Sequence, residues 1–274
     1  MAFRSHVLRD LDLTRWSNQA AVGLALLAAL SGVVATWFFD ASLWMAIRAG
    51  GATFLVWILG REIDPDRDAT ALVSAAAAGV WVLVGQPVDL FFLGGLGVAA
   101  RLVLESTGRR PLGTDLATIA AGACLISFQP LGFVAGFGLA VAIHVDQRLS
   151  GETSRQAVIA SVAAAAGAGV VATAAGAFPQ QLPDLRPWLV VSVAGLSLLA
   201  VLRDPPVPTA QVDSRRKSFL RRDRLHASRV LVGVLCLAGA LLAGEMAAAI
   251  VPAVISLAFA LASSEVERAV RVRL

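Results

Sequence analysis

The chain has 274 residues, of which 57% are apolar and 15% are charged, and its mean hydropathy is +0.75. A soluble domain usually carries about 25% charged residues, so this composition excludes an ordinary soluble enzyme and indicates a membrane protein. The sequence contains no glycine-rich phosphate loop, nucleophile motif or Cys/His metal spacing. It therefore predicts no catalytic residue and no cofactor, and an enzyme is the less favoured class.

The basic residues are 22 arginines and a single lysine, Lys217, while Asn18 is the only asparagine and tyrosine is missing. Lys, Asn and Tyr have AT-rich codons, so a GC-rich genome would explain this bias without any functional demand. The pI of about 10.3 is therefore no evidence for nucleic-acid binding. We expect a multi-pass protein of a bacterial cytoplasmic membrane, with the lipid bilayer as its main partner.

Ten apolar runs have about the length that a membrane-spanning helix needs, which is 17 to 25 residues. They predict an all-α transmembrane bundle of about ten spans. The runs are 19–38, 41–60, 69–86, 88–104, 112–128, 131–146, 156–177, 187–202, 229–243 and 246–263. The third and seventh runs are rich in Ala and Gly, which allow close helix packing, so we expect both at the centre of the bundle.

The distribution of Arg and Lys between alternate loops predicts the orientation. With a cytoplasmic N-terminus, 21 of the 23 basic residues fall on the cytoplasmic side, as the positive-inside rule requires, and the C-terminus is cytoplasmic as well. The resulting division is an N-terminal segment that can form an interfacial helix (1–18), an eight-span bundle (19–202), a basic loop facing anionic lipid headgroups (203–228), a two-span hairpin (229–263) and a tail (264–274).

An acidic cluster follows the second span, where inside loops are usually basic. It consists of Glu62, Asp64, Asp66 and Asp68. Closely spaced carboxylates suit a divalent cation, and Mg²⁺ held by Asp64, Asp66 and Asp68 would bind a diphosphate. The structural alternative is that Asp68 caps the third span while Glu62 and Asp66 pair with Arg61 and Arg67. A third alternative is the capture of a proton or cation at the vestibule of a transporter.

The placement of the segment 64–68 after the second span, and of Asp146 after the sixth, resembles that of the Asp-rich motifs in intramembrane prenyltransferases with aromatic acceptors. The resemblance implies a Mg²⁺-dependent transferase acting on a prenyl diphosphate. The chain departs from the family at two points, because Arg61-Glu62 replaces the leading Asn-Asp and no second aspartate follows Asp146 in the Asp-x-x-x-Asp pattern.

A second cluster of charged residues is predicted on the same side of the membrane. Its members are Arg101, Glu105, Asp115, His144, Asp146 and Arg148. Arg101 and Glu105 are four residues apart and can pair on one helix face. His144 lies near the apolar boundary, where an imidazole either titrates or forms a packing hydrogen bond.

Arg48 is the most costly residue of the chain, because it lies inside the second predicted span. It should find a carboxylate or extend along its stem toward the external side. The available carboxylates at the external ends of spans are Asp40, Asp89 and Glu245. Together these residues form either a structural ion pair or the gate of a transporter.

Three functions agree with these patterns. A transporter of a small solute or ion fits the short loops, the ten helices and Arg48. A membrane-embedded metal-dependent transferase fits the acidic cluster. A subunit or scaffold without chemistry of its own, assembled with copies of itself or another membrane protein, fits the scarcity of polar residues within most spans.

Overall fold

The computed structural model describes residues 11–38, 42–107, 110–151, 154–177, 194–195, 208 and 220–273. Of these residues 83% are helical and none is in a strand, which confirms the all-α class. The helices are α1 (Trp16–Phe38), α2 (Trp44–Ile63), α3 (Asp68–Leu83), α4 (Leu90–Leu104), α5 (Gly113–Ile126), α6 (Pro130–Ser150), α7 (Arg155–Ala174), α8 (Arg222–Leu242) and α9 (Val251–Arg273), with a 3-10 helix, Gly244–Ile250, before α9.

Local sequence signals account for several helix ends. Asp89 caps α4, because its Oδ1 accepts the Phe92 N–H at 2.9 Å. Pro130 occupies the first turn of α6, and Gly151 ends that helix in the left-handed conformation at φ 69°. α4 ends less usually, at Glu105 with φ 54°, which is the only non-glycine residue with positive φ in the described part of the chain.

The helices pack in a continuous order through the bundle. α1 and α3 lie against α2, which also contacts α4 and α9. α4 and α6 pack against each other and against α8, while α5 and α7 cover the far side of α6. The main core runs through α2, α4, α6, α8 and α9, with Phe92, Leu59, Leu96, Ile143 and Leu257 among its largest fully buried side chains.

Within the described ranges, five helices are long and apolar enough to cross a membrane: α1, α6, α7, α8 and the segment Met246–Ser263. Three others, α3, α4 and α5, have 16, 15 and 14 residues. At 1.5 Å per residue they extend about 21 to 24 Å, which is less than the roughly 30 Å hydrocarbon thickness. Large apolar side chains are exposed along α1, α3 and α7, which is the surface expected against lipid.

The first seven predicted spans correspond to α1–α7, and each helix begins and ends within four residues of its predicted bounds. The eighth, 187–202, lies outside the described residues except for 194–195, which are helical, and most of the basic loop also lies outside them. Two boundaries differ. α8 begins at Arg222 rather than at 229, and α9 continues to Arg273, through the segment predicted as a tail.

The prediction that both Ala-rich helices are central is wrong for α7. In the most apolar 18-residue stretch of each helix, 28% of α7 is buried, against 61% of α6. Val162 and Val170 of α7 are exposed. Its small residues pack along one face, where Ala160, Ala164 and Ala168 are buried. Small side chains therefore bring α7 close to its neighbours without placing it at the centre.

Glycines bring α5 and α6 into backbone contact. A Cβ atom on Gly132 would lie 1.7 Å from the carbonyl oxygen of Ile126, and one on Gly136 would lie 2.6 Å from that of Ala123. By contrast, a Cβ on Gly122 would meet no atom within 4 Å. The α5–α6 contact thus requires glycine at two positions of α6.

Candidate functional site

Buried charges concentrate at one end of the bundle, which we name the polar end. It comprises residues 61–68 at the end of α2, 101–105 at the end of α4, 146–150 at the end of α6 and 221–229 at the start of α8. The opposite end contains the start of α4 at Asp89 and the start of α6 at Pro130. Five side chains with a formal charge are almost fully buried at the polar end: Glu62, Asp64, Asp146, Arg224 and Arg229.

Arg224 joins three helices at the polar end. Its side chain is 3% exposed, and its Nη1 donates to Asp146 Oδ1 on α6 at 2.7 Å and to the Val103 carbonyl of α4 at 2.9 Å. Its Nη2 donates to Ser150 Oγ at 2.7 Å and lies 3.3 Å from Glu105 Oε2. Two carboxylates, a hydroxyl and a carbonyl therefore surround one buried guanidinium, and the pair with Glu105 holds the left-handed end of α4.

Arg229 and Asp64 form a second centre. Arg229 Nε donates to the Ile63 carbonyl at 2.8 Å, and its Nη2 lies 3.9 Å from Asp64 Oδ1. Asp64 also accepts from Ser263 Oγ at 2.8 Å and from Arg67 at 3.3 Å. Burial raises the pKa of Asp64 above its usual value, while the hydrogen bond from Ser263 and the charges of Arg67 and Arg229 act in the opposite direction.

Glu62 and Asp68 of the acidic cluster are also engaged by arginines. Glu62 accepts from Arg101 Nε at 2.8 Å, and Arg61 lies 3.3 Å from Asp68. Arg61 also donates to the side chain of Asn18 at 3.0 Å. Asp66 is exposed. These contacts join α2 to α1, α3 and α4, but the partners differ from those of the structural alternative, because Glu62 pairs with Arg101 and Arg67 pairs with Asp64. Asp68 does not cap α3, since the helix begins after Arg67 and Asp68 is already helical.

This arrangement does not suit a magnesium site. Among the residues that the structure describes, no group of three or more His, Cys, Asp or Glu side chains is placed to hold a metal ion. Asp64 faces two arginines and Asp68 faces a third, so cations of the protein already occupy positions that a metal would need. The role of Asp64, Asp66 and Asp68 as Mg²⁺ ligands therefore has no support from their geometry.

The second predicted cluster separates into three groups. Glu105 and Asp146 share Arg224, whereas Arg101 pairs with Glu62 rather than with Glu105. His144 and Arg148 are exposed and lie one helical turn apart, with 3.5 Å between their side-chain nitrogens. Asp115 is buried at the start of α5, where its Oδ2 accepts the Leu112 N–H at 3.0 Å.

A polar cavity of about 160 Å³ lies at the polar end, between α4, α5, α6 and α7. Its apolar wall consists of the buried side chains of Leu102, Leu116, Ile143 and Ala157. Its polar lining consists of Arg110, Asp146, Gln147, Ser150, Ser154 and Gln156. Arg110, Ser154 and Gln156 are exposed and mark the opening. Asp146 reaches this cavity, whereas none of the acidic cluster of α2 and α3 lines it.

The residues predicted to form an external gate differ in their exposure to solvent. Arg48 lies in the second turn of α2, is exposed and has its guanidinium carbon 6.0 Å from the centre of the Trp44 ring. Asp89 is buried and binds Gln129. Asp40 and the side chain of Glu245 lie outside the described residues.

Four important residues were missed by the sequence reasoning: Arg224, Arg229, Ser263 and Gln147. Arg224 was assigned to the basic loop, and Arg229 stands at the first position of the ninth predicted span. A helical signal was nevertheless available, because Arg224, Ser228, Leu231, Leu235 and Gly239 recur at spacings of three and four residues on one buried face. Gln147 carried no signal beyond its position next to Asp146.

The fold and the site define an all-helical bundle with apolar outer helices, buried ion pairs at one end and a polar cavity beside them, which is compatible with a membrane protein. Comparisons with protein-family models, curated proteins and solved structures gave no match.

Proposed function

We propose that the chain is an integral protein of a bacterial cytoplasmic membrane, with ten spans and both termini in the cytoplasm. The apolar helices and the excess of basic residues around the polar end support this orientation. α7 begins at the polar end and runs away from it, and α8 begins at the polar end again. These positions agree with the additional span predicted for 187–202.

We further propose that the protein transports a small polar solute. The observation that carries this proposal is the cavity, because a polar-lined space among apolar helices marks a route for a ligand in a membrane protein. The cavity has an exposed opening at Ser154 and Gln156 and a buried floor at Ile143 and Leu102. This is the form expected of a solute site entered from one side of the membrane.

Orientation is tested with single cysteines introduced into a protein without Cys124 and Cys236. Asp66 and Gln86 are both exposed, and they lie at the polar and opposite ends. We expect Gln86→Cys to react with a membrane-impermeant thiol reagent in intact cells and Asp66→Cys to react only after permeabilisation. The reverse pattern would reject the cytoplasmic placement of the polar end.

Transport is tested in proteoliposomes by stopped-flow light scattering with a panel of small anions, zwitterions and neutral solutes. Ala157 is buried in the cavity wall, whereas Val158, the next residue, is 43% exposed. We expect solute flux above that of empty vesicles, reduced about tenfold or more by Ala157→Leu and retained by the matched control Val158→Leu. If no solute exceeds the empty-vesicle rate, transport is rejected and the scaffold alternative is favoured.

A further inference from the structure

The cavity at the polar end is bordered by the start of α7. Ser154 precedes this helix without a side-chain capping hydrogen bond, and the first turn contains no acidic residue. The first intrahelical bond runs from the Val158 N–H to the Ser154 carbonyl at 3.1 Å. The N–H groups of Arg155, Gln156 and Ala157 therefore have no partner within the helix, and a helix N-terminus of this kind attracts an anion.

Gln147 supplies an independent indication of a ligand. It lines the same cavity and is only 6% exposed, yet its side-chain nitrogen and oxygen make no hydrogen bond within the described part of the chain. A buried amide without partners is costly, and native proteins usually satisfy such groups. The adjoining cavity has room for a ligand that accepts one hydrogen bond from this amide and donates another to it.

The hydrogen-bond donors around the cavity suit an anion. Asp146 is the one carboxylate among the described residues of the lining, and it pairs at 2.7 Å with Arg224, which also faces Glu105. Arg110 contributes a guanidinium to the opening, and Ser154 and Gln156 add further donors. A volume of about 160 Å³ accommodates a small oxyanion together with water.

We propose that this cavity binds a small oxyanion that carries a hydroxyl group, of the class of hydrogen phosphate and hydrogen carbonate. Its oxygens accept from the N–H groups at the start of α7 and from the Gln147 amide nitrogen, and its hydroxyl donates to the Gln147 amide oxygen. The proposal rests on the transport function proposed above, since it names the solute class of the same site.

Binding is measured by thermal unfolding of the full chain in detergent micelles at constant ionic strength near neutral pH. Sodium phosphate, sodium hydrogen carbonate, sodium sulfate and sodium chloride are the probes. We expect phosphate or hydrogen carbonate to raise the melting temperature in a saturable way. Chloride should have no such effect. Sulfate has no hydroxyl at this pH, so its affinity should be lower by a factor of about ten or more.

Two variants separate a ligand site from a structural role. Gln147→Leu removes the unsatisfied amide, and Ser154→Asp places a carboxylate on the same helix N–H groups. Both should leave the melting temperature of the ligand-free protein unchanged or higher while abolishing the ligand-induced shift. Gln129→Leu, at the opposite end, should lower the melting temperature and keep the shift.

Absence of a shift beyond that of chloride, or an undiminished shift in both site variants, would overturn the proposal. So would a marked loss of stability in ligand-free Gln147→Leu, because the amide would then have a partner within the protein. Equal binding of sulfate would overturn the requirement for a hydroxyl. Transport is separable from this result: oxyanion binding without flux would reject transport alone, and flux of other solutes without oxyanion binding would reject this proposal alone.

Discussion

Replacement of Arg224 by methionine tests whether the buried ion pairs hold the polar end together. Methionine retains the apolar part of the side chain and removes the guanidinium. The change leaves the Asp146 carboxylate without its 2.7 Å contact, the Val103 carbonyl without its donor and Glu105 without its cation. Removal of one partner from a buried ion pair typically costs about 3–5 kcal/mol of unfolding free energy, and we expect a loss in this range.

Arg221 is the matched control, because it lies one turn earlier and pairs with Asp223 at the surface, with 58% and 46% of their side chains exposed. Exposed pairs contribute about 0–1 kcal/mol, so Arg221→Met should change the free energy by no more than that. Adding Asp146→Leu to Arg224→Met removes one of the stranded carboxylates and should restore part of the lost stability.

The thiol of Cys236 provides the assay. It is fully buried in α8, so a thiol-reactive dye reports its exposure as the protein unfolds in denaturant. Cys124, which is less buried, is replaced by alanine in all variants. A loss below about 1 kcal/mol for Arg224→Met, or a loss equal to that of Arg221→Met, would refute the structural role assigned to Arg224.

Two further predictions concern packing and pH. Gly132→Ala should destabilise the protein by about 1–3 kcal/mol or more, because its Cβ would meet the Ile126 carbonyl. The control Gly122→Ala should be neutral or slightly stabilising, because its Cβ would meet no atom within 4 Å. The same unfolding assay measures both variants. The raised pKa of Asp64 means that the folded protein binds this proton more tightly than the unfolded chain does. Its contribution to stability is therefore present at low pH and decreases as pH rises above 3.8 through the folded pKa. Asp64→Asn should flatten the dependence of the melting temperature on pH above this value, and an unchanged profile would contradict this assignment.

Hydropathy located the first seven helices well because a span must be apolar over a length that the bilayer sets. The same criterion placed the start of α8 too late, since it treats arginine as a loop residue. Arg224 and Arg229 are helical and buried because carboxylates reach them from distant parts of the chain: Asp146 precedes Arg224 by 78 residues, and Asp64 comes from α2. A single sequence contains no signal for such a pairing.

The candidate site could likewise be predicted from the sequence only in part. Asp146 was recognised from its charge, and it does line the cavity. Gln147 was overlooked, because its significance depends on burial and on missing partners, which only the packing of α4–α7 reveals. Arg48 lies nearer to a helix end than predicted, because α2 begins at Trp44 rather than at 41.

The pairing of Arg224 and Arg229 with earlier helices has a consequence for the order of events during synthesis. The carboxylates of Glu105 and Asp146 are made first, and Arg224, the cation that they share, emerges from the ribosome 78 residues after Asp146. Until then α4 and α6 carry acidic groups that lack this counter-charge. Completion of the polar end therefore waits for α8, so a nascent chain released before residue 224 would expose the uncompensated acids to the quality-control machinery of the membrane.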